Sequence, residues 1–383
     1  MPASIEDAIE RVEIFVLRHR LSPRTGPSIA YSTEHAYGIV KISDHEGRSG
    51  WGETYLIPGV AAILEQIAGQ LIGRPATSLR ELLAETRWAA EHPYSASAIA
   101  IGLEDLWAKQ LGVSMAAALG GAVRKDVRAY AASGGYIEGK DPADTWPREA
   151  ERIVGAGYTA LKLRIGRYPI AHEARLLEAL RAQLPPDFTL MADGNAAYTT
   201  PEAVAMGRVL TDLGFLWFEE PMRQREGYVA YERLGPKLDI ALAGGEITLS
   251  RETARTLLEK GVLDIIQPEP VICGGILETL FISELARTYG VTALPHTSNS
   301  AIGIAAALQV LAILPDPTRS PATPELFLER GVDENPHREA LMTTPFSMVD
   351  GRVHVPDGPG LGIEIDETYL RQQASEIRVV EAT

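Results

Sequence analysis

Two periodicities divide the chain. Up to about residue 126, RVEIFVLRH (11–19), HAYGIVKIS (35–43) and SGWGETY (49–55) predict three strands of a meander. Longer stretches follow, GVAAILEQIAGQLIG, TSLRELLAETRWAAEHP and SASAIAIGLEDLWAKQLG, and predict helices. Strands followed by helices make an α+β unit. From residue 127 the pattern changes to short apolar runs separated by helical segments, and the runs number eight: VRAYAASGG, ALKLRIG, FTLMADGN, LWFEEP, IALAGGE, LDIIQPE, VTALPHT and LFLER. The helices between them have legible ends, with Thr200 and Pro201 opening one, and Ser250 opening another that Gly261 closes. Apolar strands alternating with helices imply a parallel sheet covered on both faces, and eight such units match a (β/α)8 barrel. After residue 330, FSMVDGRVHVPDGPGLGIEID reads as a hairpin turned at Asp350 and Gly351, in a tail expected to return to the first unit. The expected division is 1–126 for the first unit, 127–330 for the barrel and 331–383 for the C-terminal segment.

Composition narrows the partners more than the fold. No Lys/Arg cluster is set against the net charge of -15, which argues against nucleic acid or an anionic membrane as the main partner. An acidic substrate then needs local cations or a metal. The single cysteine, Cys273, cannot form an internal disulfide, and MPASIEDAIERVEIF carries acids where a leader would be basic and then apolar. No apolar stretch reaches the length of a membrane span. The expectation is a cytoplasmic protein that works on a small molecule.

In a barrel of this kind the active site sits at the C-terminal ends of the strands. Ionisable residues fall there in seven successive runs: Lys162 and Arg164, then Asp193, Glu219 with Glu220, Glu246, Glu269, His296 and Glu329. One acid at a strand end is ordinarily a cap or loop residue. A whole rim of them needs a shared purpose, because burying each ion costs several kcal/mol. Lys162 and Arg164, two apart, share one face of a core strand. Asp193, Glu219 and Glu246 form an all-oxygen set, the donor type selected by Mg2+. A glycosidase-type acid pair is the rival reading, and three carboxylates in a row with cations opposite favour the metal. Glu269 and His296 come from adjacent strands, so the carboxylate can accept from one imidazole nitrogen and leave the other as a base. Asn195 shares the face of Asp193 and reads as a support or a substrate contact, whereas Glu220 alternates to the opposite face and reads as structural.

At these residues the chain resembles the enolase superfamily, mandelate racemase subgroup. The resemblance rests on KLR, MADGN, WFEEP, AGGE, IIQPE followed by GG, and PHTSNSAIGIAAALQ, with GLEDLWAKQLG ahead of the barrel and PDGPGLGIEID behind it. It covers nearly the whole chain, in order. It implies a modified (β/α)8 TIM barrel with an α+β capping domain formed from the N-terminal region and the C-terminal tail. It also implies one Mg2+ held by Asp193, Glu219 and Glu246, an acid/base dyad of His296 and Glu269, and a small carboxylate substrate touched by Glu329. The shared chemistry is removal of the proton next to a carboxylate, with Mg2+ and Lys162 stabilising the enediolate. Homodimers or octamers are the implied assemblies.

Two positions depart from that pattern. Arg164 stands where racemases of the subgroup usually carry a second lysine base, and arginine stays protonated at ordinary pH. A one-base reaction is therefore expected, in which His296 removes the α-proton and assists departure of a β-substituent while Arg164 binds substrate or stabilises charge. That describes dehydration of an acid sugar, with cycloisomerisation of a sugar lactone as the close rival and racemisation or epimerisation behind both. Glu269 stands where Asp is usual. Specificity is expected from the first unit's loops, where Arg20 and Tyr55 are candidate substrate contacts, along with His19, Arg24, Tyr31 and His35. Two readings from other classes are a non-catalytic metabolite-binding relative and a phosphate-binding barrel. The intact set of ionisable residues counts against the first, and HTSNSAIG is only weakly of the kind the second needs.

Overall fold

The computed structural model describes residues 8–224, 228–318 and 325–382, without the side chains of 86–90. The opening residues of MPASIEDAIERVEIF, 1–7, lie outside the described residues. The predicted meander is present as β1 (Ile9–Gly26), β2 (Ser32–Asp44) and β3 (Ser49–Tyr55), all antiparallel. Helices Val60–Leu71, Leu79–Ala90 and Pro93–Gln110 follow it. β3 lies against helix Pro93–Gln110 with no room for side chains. A Cβ on Gly50 would stand 2.0 Å from the Gly102 carbonyl oxygen, and one on Gly52 would stand 1.8 Å from that of Ala98. That face of β3 is bare backbone at Gly50 and Gly52, while the alternate positions deliver Glu53 and Tyr55.

All eight apolar runs contain barrel strands. They are β4 (Asp126–Ser133), then, after the short β5 (Tyr136–Ile137), β6 (Ala160–Arg164), β7 (Thr189–Asp193), β8 (Trp217–Glu219), β9 (Ala241–Gly244), β10 (Ile265–Ile266), β11 (Thr292–Ala293) and β12 (Phe327–Gly331). Neighbours pair in parallel in the order β12, β4, β6, β7, β8, β9, β10, β11. Ser250 caps helix Arg251–Lys260, accepting from the Thr253 N–H, and Gly261 ends it at φ 59. The cap of helix Thr200–Asp212 lies one residue earlier than expected. Thr199, in a capping box with Glu202, precedes Thr200 and Pro201.

The tail divides between the two units. β13 (Met348–Val349) and β14 (Arg352–His354) form the hairpin, with Asp350 and Gly351 both at positive φ. Its partner is the barrel rather than the first unit, with Val353 opposite Val127. β4 is longer than the barrel strands beside it, so its first residues offer an open edge to the hairpin. The segment that returns to the first unit is β15 (Ala374–Glu381), antiparallel to β1 with Ile377 opposite Phe15. No helix among the described residues is long and apolar enough to cross a membrane.

Candidate active site

Strand register assembles the rim. Arg164 pairs with Asp193 and Asp193 with Glu219 across three neighbouring strands, and Glu329 on β12 pairs with Tyr130 on β4. Glu246, Glu269 and His296 stand just beyond the ends of β9, β10 and β11. Lys162 is buried at the centre, its Nζ donating to Glu219 Oε1 at 2.6 Å and standing 2.7 Å from Glu329 Oε1. The other oxygen of Glu219 accepts from Trp217 Nε1 at 3.0 Å and from Gln267 Nε2 at 2.8 Å.

On the opposite side, His296 Nδ1 lies 2.8 Å from Glu269 Oε2. The second oxygen of Glu269 accepts from the Tyr55 hydroxyl at 2.6 Å and from the Asn299 amide. This pins the carboxylate and, through it, the imidazole ring. His296 Nε2 faces inward, 3.2 Å from Glu246 and 3.7 Å from Glu329.

The electrostatics follow from crowding in a dry site. Burial, and then repulsion from Glu219, raise the Asp193 carboxyl to about 7 against the pull of Lys162 and Arg164. Burial raises Glu246 as well, with His296 opposing. Glu329 is brought down to about 2, since Lys162 and His296 overcome its burial, so it stays ionised. Burial works against the charge on His296, yet Glu329, Glu246 and Glu269 together raise its pKa well above the ordinary imidazole value. As the side chains stand, no three acids, imidazoles or thiols among the described residues are gathered closely enough to hold a metal ion. Glu219 is turned to Lys162, and Glu246 to His296. The donor set of Asp193, Glu219 and Glu246 nonetheless fits a hard divalent cation, being all oxygen, on successive strands, and mutually repelling in a way such a charge would offset.

Two family models match the chain, the enolase C-terminal domain-like family over residues 146–369 and the mandelate racemase / muconate lactonizing enzyme N-terminal domain over 11–120. The chain belongs to the enolase superfamily. Among its relatives there, D-galactarolactone cycloisomerase of Agrobacterium fabrum is 35% identical, the match covering 95% of this chain and 98% of that one. Arabinonate dehydratase of Saccharolobus solfataricus is 30% identical, over 88% and 91% of the two chains. The crystal structure of L-talarate dehydratase from Polaromonas sp. JS666, complexed with Mg and L-glucarate, superposes with a TM-score of 0.82 at 26% identity, covering 98% of this chain and 99% of that one.

Several expected positions in this superfamily member need correction. Arg20 is exposed on β1 and has no contact with the site among the described residues, because it points to the opposite face from its neighbour Leu21, which lines the cavity. Tyr55 reaches the site, but as the hydroxyl that holds Glu269. Glu220 does not face away from the other acids. The strand ends at Glu219, Glu220 turns at φ 37, and its buried carboxyl is raised well above its ordinary range by burial and then by Glu246 and Asp193. Asn195, also at positive φ, donates its backbone N–H to Asp193 at 2.8 Å and accepts from Arg164 at 3.5 Å. Arg24 is engaged by Glu138 at 2.7 Å, Tyr31 lies under the Arg167 guanidinium, and His19 is 3.5 Å from Glu334. His35 lines the cavity and lies 3.0 Å from Asp333.

The HTSNSAIG segment is given over to the acids around it. The Thr297 N–H donates to Glu329, Asn299 to Glu269, and the Ser300 and Gly303 N–H groups to Glu53. A cavity of about 1110 Å3 opens at the rim, lined from the barrel by Arg164, Asn195, Glu246 and Ser298 and from the first unit by Thr25, Ser32 and His35.

Proposed function

We propose that the chain catalyses β-elimination from an acid sugar, with His296 as its one base. The observation that carries this reading is the contrast between the two sides of the site. One side has an imidazole whose Nδ1 is held 2.8 Å from Glu269 and whose Nε2 faces inward. The position that could supply a second base is a guanidinium, kept charged because Asp193 and other acids outweigh its burial. Arginine binds and polarises but does not abstract protons.

Asp193, Glu219 and Glu246 are the residues that would hold Mg2+, which when bound supplies a fixed positive charge for the carboxylate next to the acidic carbon. Lys162, between Glu219 and Glu329, supplies a second positive charge to the anion that forms as the proton leaves. His296 Nε2 takes the α-proton, the C–H electron pair passes onto the carboxylate as a delocalised anion, and collapse of that anion forms the new C=C bond as the β C–O bond breaks. The proton then passes from Nε2 to the departing hydroxyl, which leaves as water, and the enol tautomerises to a 2-keto-3-deoxy acid. Glu269 keeps Nδ1 protonated throughout, and a cation held by Glu246 would offset part of the negative charge that now raises the imidazole, so that Nε2 can accept and return the proton. A second reading, opening of a sugar lactone, uses the same steps with the ring oxygen as the leaving group. Its support is the 35% identity to D-galactarolactone cycloisomerase over nearly the full length of both chains.

The test is a screen of sugar mono- and diacids and their lactones with Mg2+ in D2O, followed by NMR. A 2-keto-3-deoxy acid from one diastereomeric series supports dehydration, and the same product from a lactone supports the second reading. Deuterium uptake with inversion at the α-carbon and no keto acid overturns the one-base proposal.

A further inference from the structure

The strand ladder fixes only part of the rim. Asp193 and Glu219 are the last residues of β7 and β8 and pair with each other across the sheet. Glu269 and His296 each stand three residues beyond the two-residue strands β10 and β11, whose pairing stops before them. Something other than the sheet must therefore hold the dyad, since a misplacement of about 1 Å in a catalytic group can cost about 10^2-fold in rate.

Both dyad residues lead into barrel helices whose starts are capped by the first unit. Helices Pro142–Gly155 and Arg251–Lys260 are capped from their own segments, by Asp141 and Ser250. Helix Ile276–Thr288, after β10, instead begins at Gly275, which has no side chain to offer, and its Ile276 and Leu277 N–H groups donate to Glu104 at 2.7 and 3.0 Å. The segment between Glu269 and that helix is held by the same unit, with the Thr54 hydroxyl donating to the Val271 carbonyl and the Gly274 N–H to Ser97, both at 2.9 Å. Helix Ala301–Ile313, after β11, begins at Ser300, whose hydroxyl makes no cap of its own and donates to Glu53 at 2.8 Å. The Ser300 and Gly303 N–H groups donate to the same carboxylate at 2.7 and 2.8 Å. Glu53 and Glu104 are both fully buried, and the unpaired N–H groups and positive dipole end of a helix start offset the cost of burying each. The fit is close at both glycines. A Cβ on Gly275 would stand 2.8 Å from the Glu104 carboxylate, and one on Gly303 would stand 2.6 Å from the side chain of Asn299, which donates to Glu269.

We propose that Glu53 and Glu104 are positioning residues of the dyad: by capping the two helices that lead out of Glu269 and His296, the first unit sets the alignment of carboxylate and imidazole. The inference rests on the β-elimination reading above, in which that dyad is the base. It is tested with the Mg2+-loaded full-length enzyme on an acid sugar or lactone that wild type turns over. Glu53→Gln, Glu104→Gln and the control Asp44→Asn are compared, with calorimetry counting Mg2+ sites so that kcat is expressed per competent site. Asp44 is a buried carboxylate of the first unit whose donors Glu46, Arg48 and Gln110 belong to that unit, so its replacement should weaken the fold and leave kcat per site within threefold of wild type. In each Gln variant an amide NH2 meets helix-start N–H groups, and kcat per site is expected to fall about 10- to 100-fold while KM and Mg2+ affinity stay within threefold. A loss of folded protein alone would lower the number of Mg2+ sites and not the rate at each. If a Gln variant does not fold, Ser300→Ala, which removes one hydroxyl donor to Glu53, decides in its place: kcat per site should fall about three- to tenfold, and a value within twofold of wild type overturns the proposal. A kcat per site within threefold of wild type in either Gln variant, or a loss in Asp44→Asn as large as theirs, overturns this inference alone. Silence of wild type on every acid sugar and lactone overturns the elimination reading, and this inference with it.

Discussion

Replacing Glu269 by Gln changes one atom and disturbs three hydrogen bonds. In the structure two carboxylate oxygens serve three donors: His296 Nδ1 at 2.8 Å, the Tyr55 hydroxyl at 2.6 Å and the Asn299 amide. An amide has one acceptor oxygen and one NH2. If the oxygen stays with Tyr55 and Asn299, the NH2 confronts Nδ1, which must then accept, and the ring proton moves to Nε2 where the base should be. If the oxygen turns to His296, the NH2 meets two donors in a buried site, and one donor left unsatisfied costs about 1–3 kcal/mol. Either arrangement depletes the competent tautomer and removes the negative charge that stabilises the imidazolium. Amide replacement of the carboxylate behind a catalytic histidine costs about 10^4 in rate where the tautomer is lost, and general-base catalysis is worth about 10^2 to 10^4. The expected fall in kcat for Glu269→Gln is thus about 10^2- to 10^4-fold. It is read as keto-acid formation and α-deuterium uptake by NMR, with Mg2+ affinity followed by calorimetry and unchanged. A kcat within threefold of wild type would refute the reasoning, because the imidazole would then need no oriented anion behind it.

Other perturbations give separate checks. Lys162→Ala leaves Glu219 and Glu329 buried without their cation, so the metal-free protein should lose about 3–5 kcal/mol in a denaturant melt and kcat should collapse. Arg164→Lys places a titratable amine where the guanidinium stands, and slow epimerisation at the α-carbon, absent in wild type, should appear in D2O by NMR. EDTA treatment should abolish turnover and Mg2+ restore it in the same assay. Glu53 gives a pH signature: burial raises its carboxyl to about 7 from an ordinary 4.5, against hydrogen bonds from Ser300 and Gly303. The native state then holds its proton more tightly than the unfolded chain, so the resulting stability is fully present below 4.5 and is lost as pH rises through about 7. The wild-type advantage over Glu53→Gln, measured by urea unfolding, should shrink by about 3 kcal/mol across that window.

The parts of this molecule legible in its sequence are those governed by period and position. Eight apolar runs became barrel strands, and the residues at their ends met at one rim because parallel strands in register bring their C-terminal ends together. Arg20 was misplaced because the letters do not tell which face of β1 meets the barrel mouth, and that face carries Leu21 rather than Arg20. Glu220 was misread because alternation stops where the strand does, and the turn at φ 37 is not visible in the letters EEP. The supports of the dyad were missed because their contacts are far apart in the chain. Asn299 reaches Glu269 from the loop after β11, Tyr55 reaches it only when the first unit lies on the barrel, and Glu53 anchors that unit there through the start of helix Ala301–Ile313. The one available signal was the pair of glycines in SGWGETY, which marks a strand pressed against other backbone.

The central claim is that His296 alone moves the α-proton. The most direct measurement is α-proton exchange of a turned-over sugar acid in D2O by wild type and by His296→Asn, each with Mg2+ binding verified by calorimetry. The account expects exchange and keto-acid formation to vanish together in His296→Asn while Mg2+ still binds. Exchange that persists in His296→Asn at a rate near wild type would contradict it and assign the base to another residue.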